Sequence, residues 1–363
     1  MSEQSVELRY MENEDHEFGD KMMLMELSEE LAELLVKRST RPFFYSLILK
    51  PDHERQSTVL CSSSKTYLLR SVSQTNSLLI FQKEDNGFSL LKDARSYLEV
   101  MPIPVRINFN LLAPVYDGYN SCISDTTLLY TLSQVKRRIP ASEEEIQRAL
   151  IHSMCLVINV NYDFLGYLRR LSFDYAFRVL QLILVHAQVE GISLEELKLD
   201  SLMKHIGSEE PVDIVELVLR RFSRTQTEPY VIDGSSVAQW IGIQLLSTCK
   251  GGSIPLDEFI YNWKSTVPSP FVMYTELSLL QGEYLLTESS ILRYFPADAL
   301  SIDPAMRFQE LFLAKPKWNL PDILPFIRGI ASDETKIDAM LRKFTRKQVI
   351  CQQTILTARD HRK

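Results

Sequence analysis

The sequence contains no run approaching the roughly 20 uninterrupted apolar residues that a membrane-spanning helix needs. Its opening, MSEQSVELRYMENEDHEFGD, is acidic where a secretory leader is basic and then apolar, so an intracellular protein without membrane contact is expected. Cysteines are few: Cys61, Cys122, Cys155, Cys249 and Cys351 stand singly, with no CxxC pair and no histidine at zinc-ligand spacing. That usage reads as reduced structural thiols and excludes a disulfide framework or a zinc module.

Signatures of catalysis are also missing. There is no GxxxxGK followed by Ser or Thr, no GxGxxG and no HExxH, so the phosphate cradles and metal ligands of ATPases, dehydrogenases and metalloproteases have no source here. Of the six histidines, His152 and His186 sit inside apolar helical stretches, His16 and His361 near the ends, and His53 and His205 in loops or helix ends. None stands beside a nucleophile motif. Cys61, between apolar residues in STVLCSSS, reads as a buried inert thiol even with Lys65 nearby. A protein without catalytic residues, cofactor or metal is expected.

What the chain does have is ordinary globular composition and an uneven charge. With 363 residues, 45% hydrophobic and 24% charged, it is long enough for about two to four domains. The formal charge of -7 argues against a polyanion binder over its whole surface. Residues 1–33 hold about eleven acidic and two basic side chains, whereas residues 336–363 hold about eight basic and two acidic ones. Nucleic-acid contact is therefore expected at the C-terminus.

Residues 1–20 read as an acidic flexible tail and residues 21–125 as a β domain. The latter has one helix, Ser28–Lys37, and the strand-like runs FFYSLILK, STVLCS, KTYLLRSV, SLLIFQ and YLEVM. Leu47–Leu49 and Leu78–Phe81 are apolar on both faces, so an open sheet would leave apolar surface in water unless a sandwich, a barrel or another chain covers it. Unpaired strand edges can be completed by another chain, and Leu60, Tyr67, Leu69, Leu79 and Phe81 are the candidate partner-contact residues. The stretch MPIPVRINFNLLAPVYDGYN, with Pro102, Pro104, Pro114 and Gly118, reads as a connector that puts a boundary near residue 125.

Beyond it the pattern is helical in groups of about three, each ending in short strands, over residues 126–230, 235–302 and 303–363. That is the rhythm of tandem winged helices. In the first unit TLLYTLSQV and SEEEIQRALIHSM are helices and CLVINV and YLRRLSF wing strands; Ser142 caps the second helix and Glu145 closes a capping box. The second unit runs SVAQWIGIQLLSTC, PLDEFIYNWKSTV, a third helix at YTELSLLQG, then EYLLTE and ILRYF. The third runs DPAMRFQELFLAK, NLPDILPFIRGI, a basic helix SDETKIDAMLRKFTRKQ and the strand QTILTAR. On that helix Ile337, Met340, Leu341 and Phe344 should face inward. Lys336, Arg342, Lys343, Arg346 and Lys347, with Arg359 beyond, are the candidate DNA contacts. Tyr261, Trp263 and Trp318 have the chemistry to stack on bases, but at helical spacing they fit a core better.

Several segments together resemble the DCC family, the sister chromatid cohesion protein of the cohesion-type alternative replication factor C clamp loader. They are STVLCSSSKTYLLR, ASEEEIQRAL with LSFDYAFRVL, AQWIGIQLL with IPLDEFIYNWKSTVP, and IDPAMRFQELF with Trp318 and KIDAMLRKF, in that order. One departure is the wing segment CLVINVNYDFLGYLRRL, several residues longer than the family pattern. The resemblance implies an α+β fold, with an N-terminal β-barrel-like half followed by tandem winged-helix domains. It further implies that the β half is shared with a small companion subunit and the tail of the large ATPase subunit, in a nuclear complex with the replication factor C small subunits. Association with the polymerase epsilon catalytic subunit, indirect action on the sliding clamp, and DNA contact without strong sequence preference complete the implied role. The alternative is a stand-alone winged-helix DNA-binding regulator, which needs base-reading Asn, Gln or Arg on every third helix. SEEEIQRALIHSM and YTELSLLQG are poor in basic residues and the former begins acidic, which favours assembly.

Overall fold

A computed structural model of the chain describes residues 8–10, 24–37, 47–52, 57–84, 87–109, 112–118, 129–159, 166–249, 252–287, 289–331, 333–350 and 353–359. Residues 1–7 and 11–23, which include most of the expected acidic tail, and residues 160–165, within CLVINVNYDFLGYLRRL, lie outside them. The described residues form an α+β protein in two units: Met1–Val105 with Ile139–Glu145, and Arg106–Arg138 with Ile146–Lys363.

The first unit is built on one mixed sheet. Its strands are β1 (Leu8–Tyr10), β2 (Leu24–Glu26), β3 (Ile48–Asp52), β4 (Ser57–Cys61), β5 (Thr66–Glu84) and β6 (Gly87–Pro102). The order is β1-β6-β5-β4-β3, and β2 also pairs with β6. The sheet does not close on itself among the described residues. The runs KTYLLRSV and SLLIFQ, expected as two strands, are one 19-residue strand, β5, with register shifts between Ser73 and Leu78 and between Ile80 and Phe81. A bulge lets a strand continue while it bends, so a break in alternation is no evidence of a turn. Helix α1 (Glu29–Lys37) packs Leu31 against Leu60, Tyr67 and Val100 to form the core of this unit.

The turn ahead of the helix that starts at Glu143 belongs to this unit too. Lys50 Nζ donates to the carbonyls of Ile139 (3.2 Å) and Ala141 (2.6 Å), and the Glu144 amide donates to the Ser63 carbonyl (3.1 Å). Helix α3 (Glu143–His152), which follows α2 (Leu132–Arg138), begins with the expected capping box. The Glu145 amide donates to Ser142 Oγ (3.3 Å) and the Ser142 amide to Glu145 Oε2 (3.2 Å). Thr66 from β5 joins it: its hydroxyl donates to Glu145 Oε2 (2.6 Å) and accepts from the Ser142 amide (2.8 Å). Replacing Ser142 by Ala should cost the cap about 1 kcal/mol, about a fivefold loss of hydrogen-exchange protection at the first-turn amides of α3. Unchanged protection would show that Thr66 and Glu145 suffice.

The second unit carries three small sheets. In the first, β9 (Gly166–Leu171) pairs with β8 (Cys155–Asn159) and, in parallel, with β7 (Val115–Tyr116), so the proline-broken connector contributes a strand. Arg169, almost wholly buried, holds that strand by donating to the carbonyls of Pro114 (3.2 Å) and Val115 (2.6 Å). Helix α4 (Phe173–Val189), capped by Ser172, packs with α5 (Leu199–Ile206) and α6 (Val212–Phe222) into the larger core. Helices α7 (Gly234–Ser247) and α8 (Leu256–Thr266) join the same core. They approach closely at Gly242, where a Cβ would lie 2.8 Å from Trp263, and the Trp263 indole donates to the Ala238 carbonyl (2.8 Å).

The helix expected at YTELSLLQG is not formed. A 3-10 turn, Leu277–Leu280, stands there instead, just after another, Ser269–Tyr274, which has Pro270 in its first turn. Gly282 then adopts a left-handed φ of +89° against Pro325 and turns the chain into the second sheet. That sheet has the order β10 (Ser253–Pro255), β12 (Ile291–Tyr294), β11 (Tyr284–Leu286).

The last segment comprises α9 (Pro304–Ala314), α10 (Leu320–Arg328) and α11 (Glu334–Phe344), with a sheet ordered β13 (Lys317–Asn319), β15 (Gln353–Ala358), β14 (Thr345–Ile350). Leu285, Phe308, Trp318, Phe326, Ile337 and Leu356 form its core. Arg307, fully buried, donates to the carbonyls of Phe326 (2.5 Å), Ser301 (3.1 Å) and Ala297 and ties the linker to the helices. Close by, burial first and the Asp298 charge second push the Glu283 carboxyl up to about 7. The folded state thus holds that proton more tightly than the unfolded chain, and stability falls as pH rises from the ordinary carboxylate range to about 7. Glu283→Gln should therefore raise Tm by about 2–4 °C at pH 8 and leave it unchanged near pH 4.5. Equal shifts at both pH values would contradict this.

Candidate partner and nucleic-acid interfaces

The outer edge of β5 distinguishes the first unit. Strand β4 pairs with β5 only opposite Thr66, Tyr67 and Leu68, whereas β5 and β6 remain paired to Glu84 and Gly87. On the far side of β6, β1 and β2 add short parallel pairings. From Leu69 onward, then, the free side of β5 has no strand on it among the described residues. The ribbon so formed is apolar and wet: Leu79 is 47% and Phe81 38% exposed, with Leu78 and Phe88 similar. Strand β3 ends the sheet on the other side, and there Ile48 and Leu49 are exposed as well. Apolar side chains beside unpaired amides and carbonyls mark a place where strand addition is favourable.

Of the five residues expected to meet a partner, the structure separates two pairs. Leu60 (4% exposed) and Tyr67 (2%) lie beneath α1 in this chain's own core, which corrects the expectation that they face another chain. Leu79 and Phe81 stand on the open ribbon, and Leu69, partly buried, packs at the margin of the core. Nothing in the sequence pattern separates them, because the covering helix α1 is remote in sequence.

The basic residues of the C-terminus fall on two elements rather than one. Helix α11, capped by Asp333 accepting from the Lys336 amide (2.8 Å), ends at Phe344, and Arg346 and Lys347 are on strand β14. Thr345 closes the helix: its hydroxyl donates to the Leu341 carbonyl (2.7 Å), and its extended backbone starts the strand. A β-branched residue followed by a run that pairs with QTILTA overrides the helical spacing of the lysines and arginines. Ile337 is buried, with Met340, Leu341 and Phe344 packed against the same core, as expected.

Arg342 and Arg359 are brought together, since Arg359 Nη1 donates to the Arg342 carbonyl (2.8 Å) and its amide to the Phe344 carbonyl (3.0 Å). Arg359 thereby also serves the helix C-terminus. Lys343 lies over the Phe344 ring at 5.1 Å, beside Arg342 in the last turn of the helix. Lys336, near the start of the helix, is about 9 Å from Arg342 along the axis at 1.5 Å per residue.

Register in the sheet adds a cation that helical reasoning missed. Lys317, Thr357 and Arg346 are opposite one another across β13, β15 and β14, and so are Trp318, Leu356 and Lys347. Trp318 and Leu356 are core, so Lys317 and Arg346 share the outward face. The signal was legible as the alternation of Lys317 and Trp318. Of the aromatic stacking candidates, Trp263 and Trp318 are core residues and Tyr261 is exposed.

Elsewhere among the described residues Cys61, Cys155 and Cys249 are free thiols. Burial pushes the Cys155 thiol up to about 12 and raises Cys61 as well, away from the range of a reactive thiolate. No described helix is long and apolar enough to cross a membrane.

Comparison with known proteins places the chain among relatives of one name. The family model for sister chromatid cohesion protein Dcc1 matches residues 22–327. Sister chromatid cohesion protein DCC1 of Saccharomyces cerevisiae is 27% identical, over 94% of this chain and 98% of the relative. The proteins of that name from Homo sapiens and Danio rerio are each 26% identical, covering 83% and 92% of this chain and 80% and 89% of their own lengths.

Proposed function

Because the chain belongs to the sister chromatid cohesion protein Dcc1 family, we propose that it is a non-catalytic subunit of the cohesion-type alternative replication factor C clamp loader. In this reading the first unit is an incomplete barrel, finished by strands from the small companion subunit and the tail of the large ATPase subunit. The observation that carries it is the β5–β6 ribbon: beyond Leu68 its β5 edge has no further strand among the described residues, and it exposes Leu78, Leu79 and Phe81 on β5 and Phe88 on β6. Such an edge is an aggregation hazard in a free chain and an interface in an assembled one.

The three helix-and-strand segments of the second unit act as tandem winged helices. The last of them contacts DNA phosphates through Arg342, Lys343, Arg346 and Lys347, with Lys317 on the same outward face as Arg346. Polymerase epsilon docks on the same subunit, and the assembly works on chromatin at replication forks in the nucleus. A sequence-specific regulator fits less well, because 3-10 turns without base-reading side chains occupy the recognition-helix position of the second segment.

Co-expression with the companion subunit and the ATPase tail tests this reading by size-exclusion chromatography with light scattering. A 1:1:1 complex, together with self-association of the chain expressed alone, is the expected result. A stable monomer that ignores both partners would overturn it.

A further inference from the structure

A groove of about 790 Å³ separates the β11–β12 hairpin from the β13–α10 segment, both within the second unit. One wall is the edge strand β11, and its backbone orientation follows from the pairing. Thr287 donates to the Ile291 carbonyl (3.0 Å) and Phe295 to the Glu283 carbonyl (2.9 Å), so Glu283 and Thr287 are hydrogen-bonded positions toward β12. Opposed residues alternate in an antiparallel ladder, so Leu285 also bonds inward, opposite Arg293. Tyr284 and Leu286, the positions between, then turn their N–H and C=O groups outward into the groove.

The opposite wall carries Lys315, Pro316, Lys317 and Asp322. Asp322 is paired with Lys315 at 3.6 Å, which leaves Arg293 and Lys317 as the groove's surplus charge; neither forms an ion pair among the described residues. Edge amides and carbonyls two residues apart, at Tyr284 and Leu286, the half-exposed apolar side chain of Leu286 and a cationic surplus match one kind of occupant. We propose that this groove binds an extended acidic segment of a partner protein, added to β11 as a further strand. A nucleic-acid strand fits less well, because the outward carbonyls of Tyr284 and Leu286 repel phosphate where the same carbonyls accept from a peptide.

The test uses the full-length chain and a fluorescein-labelled decapeptide alternating glutamate with valine or leucine, followed by fluorescence anisotropy. Comparison probes carry lysine in place of glutamate, or methyl groups on every other amide in either register; a ten-residue oligothymidylate serves as competitor. The acidic peptide should bind at least tenfold more tightly than the lysine peptide, and one methylation register should abolish binding while the other leaves it intact. Leu286→Pro removes an outward amide without touching the ladder to β12 and should weaken binding at least tenfold, as should R293E combined with K317E. The methylated peptides probe the unmodified protein, so the outcome stands even if Leu286→Pro fails to fold. Equal binding of acidic and lysine peptides, indifference to both methylation registers, or no binding of the acidic peptide while oligothymidylate binds would overturn the proposal. None of these changes touches β5, so assembly with the companion chains is read separately.

Discussion

Replacing Leu79 and Phe81 together by aspartate is expected to abolish recovery of the companion chains while leaving the first unit folded. Both side chains stand on the open ribbon, outside the core of Leu31, Leu60, Tyr67 and Val100, so their removal costs the isolated unit little. In the assembly each should be covered. Burial of such a side chain contributes about 1.5–3 kcal/mol, and the aspartates would also leave unpaired charge at the joint. Removing the two together should therefore weaken association by at least about a hundredfold. Leu60→Ala is the informative contrast: it opens a cavity beneath α1 at a cost of about 2–5 kcal/mol and should lower the stability of the unit itself. If the aspartate pair co-purifies at normal stoichiometry, with intact circular dichroism and proteolytic resistance, the ribbon is not the joint.

The second large effect concerns charge at the other end of the chain. Reversing Lys343, Arg346 and Lys347 to glutamate should reduce DNA affinity by about a hundredfold or more at 50–100 mM salt, since every phosphate that is no longer neutralised keeps its condensed counterion. The slope of log affinity against log salt should flatten by about 0.9 for each of these residues that meets a duplex phosphate. Lys317→Ala, on the same outward face as Arg346, should flatten it by a similar single step. Arg359→Ala should behave differently, because its guanidinium holds the Arg342 carbonyl and its removal loosens the helix end as well. Anisotropy titrations on one duplex across a salt series separate these outcomes. An unchanged slope in the triple variant would remove the last helix and wing from the DNA interface.

Much of this architecture is legible in the sequence because it rests on local rules. The Ser142–Glu145 box, the apolar spacing of Ile337, Leu341 and Phe344, and Pro304 inside the first turn of α9 each need only a few residues to be read. What escapes such a reading depends on distant partners. Thr66 joins the Ser142 cap from 76 residues away, and α1 hides Leu60 and Tyr67 while leaving Leu79 and Phe81 in water. The basic run after Phe344 reads as helix until its pairing with Gln353–Ala358 is known, and that pairing alone reveals that Lys317 and Arg346 share a face. At YTELSLLQG the helical spacing of the apolar residues reads as an α-helix, where the chain forms only the 3-10 turn Leu277–Leu280.

Hydrogen exchange across β5, compared between the chain alone and the chain bound to the companion subunit and ATPase tail, tests the central claim most directly. If the ribbon edge is completed by partner strands, the amides of β5 that do not bond to β6 should gain at least tenfold protection between Val72 and Lys83, while α1 and β4 stay unchanged. Protection that appears elsewhere and leaves those amides as fast as in the free chain would contradict it.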